Sequence, residues 1–282
     1  HAVRHRPRGV ETHPAARVAA MQRVIPANAS SRPARESHTA VLLGSLTTPA
    51  DTPALTASVP TLGRRVVAEA IGTALLLAIV VGSGIAAQGL ADGNAALALL
   101  VNAIATGVGL VALILAFSRV SGAHFNPLVT LSMLLHGRCR RHELLAYVVA
   151  QFAGALLGVA AAHLMFGEPL YVASHAARAG YAQWWSECVA TFGLLTIIHG
   201  AAAHGARTVA MAVGGYITAA YWFTASTAFA NPAATLARAF TDTFAGIRPG
   251  DALGFMLAQI AGAVAATLLM RWLDAGVGRR RA

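Results

Sequence analysis

Asn126-Pro127-Leu128-Val129-Thr130-Leu131 and Asn231-Pro232-Ala233-Ala234-Thr235-Leu236 are two copies of one short pattern. Each follows a long apolar segment and opens a stretch that can form only a short helix. Asn is a favoured helix N-cap, and Pro suits the first helical turn, where its missing N–H is not needed. Two such starts in matching halves of an apolar chain predict two half-helices whose positive ends meet at one point inside a membrane. That arrangement is the core of a pore.

The composition agrees. Hydrophobic residues make up 56% of the chain and charged residues 11%, against about 25% charged in a soluble domain. The formal charge of +10 does not point to nucleic acid, because the arginines flank apolar segments and form no basic stripe interleaved with aromatics. Every basic residue is Arg, and seven of them fall in the first sixty positions. Cys139 and Cys188 have no metal-ligand spacing and read as free packing residues. No nucleophile–base constellation stands out, so the reading has no enzyme, no cofactor and no metal. His163, His199 and His204 are scattered and read as packing or interface residues.

Residues 1–60 are rich in Arg, His, Pro, Ser and Thr and lack a sustained apolar period, which predicts a disordered N-terminal extension. The chain begins at His1, and Met21 is one candidate for a true start. A plain cytoplasmic tail or an upstream region translated in error ranks ahead of an organelle transit peptide. Six segments reach the length of about 20 residues that a bilayer requires: Val66–Gln88, Ala95–Phe117, Glu143–Phe166, Ala182–Ala203, Thr208–Ala228 and Ala252–Leu273. Arginines gather before the first (Arg64, Arg65), after the second (Arg119, Arg138, Arg140, Arg141), after the fourth (Arg207) and after the sixth (Arg271, Arg279, Arg280, Arg281). The positive-inside rule then puts both termini in the cytoplasm, which six spans satisfy.

The halves repeat. Ala68-Glu69 with Thr73 and Leu76 in the first span matches Ser186-Glu187 with Thr191 and Leu194 in the fourth. Ala150-Gln151-Phe152-Ala153-Gly154-Ala155 in the third matches Ala258-Gln259-Ile260-Ala261-Gly262-Ala263 in the sixth. Three spans per unit is odd, so the second copy is inverted, and inverted repeats place their functional site at the midplane between broken helices. The expected organisation is a first repeat over 61–175 with half-helix 126–136, a second over 176–274 with half-helix 231–241, and a basic tail over 275–282.

Ser121-Gly122-Ala123-His124-Phe125-Asn126-Pro127 and Phe229-Ala230-Asn231-Pro232-Ala233 resemble the signature loops of the aquaporin, or major intrinsic protein, family. The resemblance covers roughly residues 64 to 273. It implies an all-α membrane protein with six transmembrane helices and two re-entrant half-helices, one pore per protomer, and a homotetramer in a lipid bilayer, here a bacterial inner membrane. Asn126 and Asn231 would turn amide donors into the pore. The backbone of Gly122, Ala123, His124 and Phe125, and of Thr227, Ala228, Phe229 and Ala230, would supply acceptors, since non-helical backbone at membrane depth is tolerated only along such a cavity. As in the resembled family, Glu69 and Glu187 would accept bonds from loop amides and hold each half-helix, rather than relay protons. Gly72, Gly107, Gly154, Gly193, Gly215 and Gly262 read as close helix packing. Gln151 and Gln259 would bond across helices or to the loops. His124 would stabilise its loop, and Tyr221 and Trp222 read as packing.

The departures from the family pattern concern selectivity. Leu128 stands where Ala usually follows the first Asn-Pro, and Ala234 stands where an arginine usually follows the second Asn-Pro-Ala. Spacing from the motifs assigns the other constriction positions to Thr106, Ala219 and Ala228. Four small side chains predict a wide filter stripped of its fixed charge, passing water and small neutral solutes: glycerol, urea or neutral metalloid hydroxides such as arsenite. Thr235 replaces the aspartate of many glycerol facilitators. Arg238, one helical turn past Ala234, could enter the outer vestibule, but pairing with Asp242 at i, i+4 is the favoured reading. Alternatives to the broad channel are a strict water channel and a gradient-coupled secondary transporter. A junction protein with a closed pore fits the short loops poorly.

Overall fold

The computed structural model describes residues 60–277. The expected disordered extension, apart from Pro60, and the arginines at 279–281 lie outside the described residues. Within the described residues are eight α-helices: α1 Leu62–Leu90, α2 Ala95–Ser121, α3 Pro127–Leu135, α4 Arg141–Phe166, α5 Tyr181–Ala201, α6 Ala206–Phe223, α7 Pro232–Arg238 and α8 Pro249–Val277. Their ends follow local chemistry. The Asn94 side chain caps α2 by accepting from Leu97 N, and left-handed Gly122 and Gly167 terminate α2 and α4.

Five of the six long helices are long and apolar enough to cross a membrane by length and composition. The exception is α6, whose 18 residues are less apolar than the other five, with Arg207, Thr208, Gly214, Gly215, Tyr216 and Thr218 along its length. The sequence predicts this span through Ala228, but the helix stops at Phe223. Thr224 turns to extended backbone (ψ 137°) while its hydroxyl donates to Ala220 O, and the chain bends back into the bundle. The half-helices are also shorter than expected. In α7 the ladder gives way after Arg238 to tight turns, with Ala239 N donating to Leu236 O and Phe240 N to Ala237 O.

Each repeat contributes three long helices and one half-helix, and the packing repeats with them. α1 lies against α4 and α2, as α5 lies against α8 and α6, and the repeats join along α2 and α6. Each half-helix also touches the last long helix of the other repeat, α3 on α8 and α7 on α4. Two of the expected close-packing glycines occupy equivalent positions. A Cβ on Gly154 would collide with the backbone of Ala70, and one on Gly262 with the backbone of Cys188. Gly215 corrects the sequence reading: nothing approaches it, and its neighbour Gly214 is the one pressed onto Gly107.

The outside of the bundle is apolar and the polar groups are inside. Leu145, Val149, Leu157, Leu164, Leu257 and Leu268 are exposed, while Glu69, Glu187, Gln151, Gln259 and Thr130 are fully buried. A surface of that kind is stable against lipid rather than water. Tyr181, Trp184 and Trp185 at the start of α5, and Trp222 at the end of α6, are exposed at one rim, as aromatic belts are. Replacing Gly154 by Leu is expected to part α1 from α4 and lower stability by at least about 2 kcal/mol, as overpacking does. Thermal unfolding in detergent measures this, and Gly215→Leu serves as the tolerated control.

Candidate functional site

The two motif loops are held in the same way. Asn126 and Asn231 take extended backbone (φ −155° and −156°) and cap α3 and α7 with their Oδ1 atoms. Asn126 Oδ1 accepts from Leu128 N at 2.9 Å, and Asn231 Oδ1 accepts from Ala233 N at 3.0 Å and Ala234 N at 3.3 Å. The amide nitrogens cross between repeats. Asn126 Nδ2 donates to Ala230 O and Asn231 Nδ2 donates to Phe125 O, each at 2.8 Å. An amide nitrogen carries two hydrogens, so each retains a second donor. Capping, the bond between repeats and a spare donor therefore coexist in the same two side chains.

The preceding loops are strained alike. Gly122, Ala123 and Phe125 have positive φ, and so do Ala228 and Ala230 together with Thr227. These positions fall in the same register before Asn126 and Asn231. Left-handed backbone in non-glycine residues persists only where the surroundings enforce it, and here two buried carboxylates do so. Glu69 accepts from His124 N at 2.9 Å, Phe125 N at 2.7 Å and Ser121 Oγ at 2.6 Å. Glu187 accepts from Phe229 N and Ala230 N, both at 2.9 Å. Gln151 Nε2 ties Glu69 to Thr130 Oγ1, and Gln259 Nε2 ties Glu187 to Thr235 Oγ1. Both threonine hydroxyls then donate to the backbone oxygen of their motif asparagine. Thr235, which stands in place of an aspartate, belongs to this clamp. His124 adds a contact with Thr130 Oγ1 and an edge-on contact with Tyr147.

A cavity of about 330 Å³ runs past the crossed asparagines. Among the expected pore residues, Gly122, Ala123, His124, Phe125, Asn126, Phe229, Ala230 and Asn231 line it. Pro127, Pro232, Ala233 and Leu128 lie behind the lining; Leu128 packs into the apolar core. Of the expected constriction residues, Thr106, Ala228 and Ala234 line the cavity, and Ala219 does not. Ala219 is on the exposed flank of α6, because helical pitch turns that position away from the lumen. Tyr221, two residues on and read from sequence as packing, faces inward instead and shares a 3.2 Å hydrogen bond with Thr106. A count back from Asn231 misses it, because α6 stops early and the intervening loop length sets the register.

Arg238 is the larger correction. It does not pair with Asp242. Its side chain is 3% exposed, lines the cavity and lies over Phe229 with Cζ 3.3 Å from the ring centroid. Its Nε donates to Ala245 O. Asp242 instead accepts from His175, through the backbone N–H and the ring Nδ1, each at 2.9 Å. The wall near this end thus carries an aromatic phenol and a guanidinium rather than four small side chains. The opposite end, lined by Met133, Ile198 and Val209, is mostly apolar.

The Major intrinsic protein family model matches residues 56–208. The chain is 58% identical over 213 residues to aquaglyceroporin AqpS of Rhizobium meliloti, covering 75% of this chain and 91% of that protein. It is 31% identical over 243 residues to the probable aquaporin AqpM of Archaeoglobus fulgidus, covering 76% and 98%. The crystallographic aquaglyceroporin from Plasmodium falciparum aligns with a TM-score of 0.58 at 19% identity, over 76% of this chain and 96% of that one.

Two expectations follow from the geometry. Glu187→Leu strips the amides of Phe229 and Ala230 of their acceptor, and should cost about 3 kcal/mol or more; a detergent melting curve unchanged from wild type would contradict the anchoring role. His175 holds the Asp242 carboxyl below its ordinary range, first through its backbone N–H and then through its ring. A depressed carboxyl contributes stability fully above its unfolded value of about 3.9 and loses it as pH falls through the lower folded value. Protection of the His175 amide, measured as hydrogen exchange relative to its intrinsic rate at each pH, should therefore hold at neutral pH and fall only in that acidic window.

Proposed function

The chain belongs to the major intrinsic protein family, and on that premise we infer that it is a passive transmembrane channel for water and small uncharged solutes such as glycerol. It is an integral multi-pass membrane protein. The observation that carries the channel reading is the cavity that passes two buried asparagine amides, each fixed by the opposite loop and each retaining a donor. Two fixed donors at one point make a passing water or hydroxyl accept there, which interrupts a continuous proton wire. The N-termini of α3 and α7 add positive potential at the same point.

The lining supports a solute with both a hydroxyl edge and an apolar face. Thr106 and Tyr221 present hydroxyls, while Leu110, Val213 and Ile217 present hydrocarbon. Glycerol matches that division. Urea and neutral metalloid hydroxides such as arsenite belong to the same proposal as smaller solutes. Ala228 and Ala234 line the same cavity as Tyr221, and this mix of small and large side chains favours solute passage over a strict water channel.

The orientation and assembly are further parts of the proposal. Arg64, Arg65, Arg138, Arg140, Arg141 and Arg207 adjoin the helix ends on the side where α1 begins, and support cytoplasmic termini in a bacterial inner membrane. A homotetramer is supported by the family resemblance and would be read by native mass measurement.

Stopped-flow light scattering on proteoliposomes holding the full chain tests the function. Glycerol entry should be fast, linear in concentration and indifferent to a proton gradient. Saturable entry that follows the gradient would replace the channel with a coupled transporter. Tyr221→Ala should raise glycerol entry relative to water, because it removes the largest side chain beside Thr106.

A further inference from the structure

Arg238 and Arg178 bring two guanidinium groups to one aromatic ring. Arg238 Cζ lies 3.3 Å from the Phe229 centroid and Arg178 Cζ lies 5.2 Å from it. Arg178 is committed to protein acceptors: its Nε donates to Gly246 O at 2.8 Å, and its terminal nitrogens reach Phe244 O, Ser226 O and Thr227 Oγ1 at 3.4–3.5 Å. Arg238 differs. Its Nε is taken by Ala245 O, while its two terminal nitrogens have no hydrogen-bond partner among the described residues, on a side chain that lines the cavity.

Neither arginine has a carboxylate partner among the described residues. Glu187 is committed to the amides of Phe229 and Ala230 and to Gln259. Asp242 pairs with His175, and Asp251 with Arg248 and the backbone N–H of Arg178. A guanidinium does not deprotonate to escape burial, and a buried charge calls for a counter-charge. The hydroxyls of Tyr221 and Thr106 line the same cavity and add potential donors.

We propose that the constriction beside Arg238 is a binding site for one small planar monovalent oxyanion, of the nitrate or formate kind, held by the two free terminal nitrogens of Arg238 and backed by the positive charge of Arg178. The planar fork of Arg matches two oxygens of such an ion. The ion binds without crossing, because the far half of the cavity, with Met133, Ile198 and Val209, offers an unpaired anion no compensation. The anion therefore competes with neutral solute for the same lumen. The inference rests on the cavity being the channel lumen.

Isothermal titration of the full chain in nanodiscs with sodium nitrate reads binding directly, and glycerol entry into proteoliposomes with external nitrate reads competition. Nitrate should bind at one site per chain and slow glycerol entry saturably. Formate should act alike, and chloride, which lacks the paired oxygens, more weakly. Arg238→Gln should weaken nitrate by about tenfold or more, as expected for loss of a charge-assisted pair. Arg238→Lys, which keeps the charge but not the fork, should fall between and guards against misfolding of the glutamine variant. Arg248→Gln, on the exposed side, should bind as wild type. Rapid glycerol entry with no nitrate binding, or equal binding by Arg238→Gln and wild type, would overturn the anion site and leave the channel standing. Nitrate binding in a protein that passes no glycerol would uphold the site and remove the channel.

Discussion

A peptide group at mid-membrane depth has no water to bond, and the whole arrangement answers that constraint. The loops before Asn126 and Asn231 must be non-helical to expose backbone along the lumen, so their amides need acceptors supplied by side chains. Glu69 and Glu187 are those acceptors. A carboxylate taking several charge-assisted bonds is a strong anchor, and its own burial is tolerable only because every bond is made. Gln151 and Gln259 then carry the clamp outward to α4 and α8. The loops, half-helices and long helices form one connected polar network inside an apolar shell.

The crossed asparagines join the halves at the centre. Each accepts from its own half-helix and donates to the opposite loop, so neither repeat can complete its pore wall alone. This explains why the equivalent contacts agree so closely between repeats: Ser121 and Ser226 accept the amides of Ala123 and Ala228, and Thr130 and Thr235 donate to the oxygens of their asparagines. The symmetry fails along the rest of the cavity. Arg238 and Tyr221 occupy the lumen near one end, and Met133, Ile198 and Val209 occupy the other. A repeated scaffold of bonds thus carries an asymmetric cavity lining.

The position of Arg238 is a matter of reach. An arginine directly after the second motif would project from the first turn of α7, but that position is Ala234. Arg238 projects from the last residue of the half-helix, and Phe229 and the Ala245 carbonyl fix its direction. Cation–π attraction of this kind holds a guanidinium without neutralising it, so the charge remains available to the lumen. The chain keeps an aromatic and a cation on the cavity wall while supplying both from positions that a motif comparison does not consult.

Much of the architecture is legible in the residues alone: six long segments, two proline-started half-helices, the internal repeat, and the paired Glu and Gln positions. These are legible because they are periodic, because Asn-Pro has a local conformational meaning, and because each occurs twice in the same order. Tertiary structure alone decided which side chains face the lumen. Tyr221 rather than Ala219 points inward because of the phase of α6 within the bundle, and the helix end at Phe223 lengthens the loop over which a count from Asn231 runs. Arg238 turns inward, rather than to Asp242 four residues on, because His175 from a distant loop takes that carboxylate while Phe229 and Ala245 take the arginine. Helix existence depends on neighbours along the chain, whereas side-chain direction along a cavity depends on helix phase and on partners that lie on other elements, as His175 does 67 residues from Asp242.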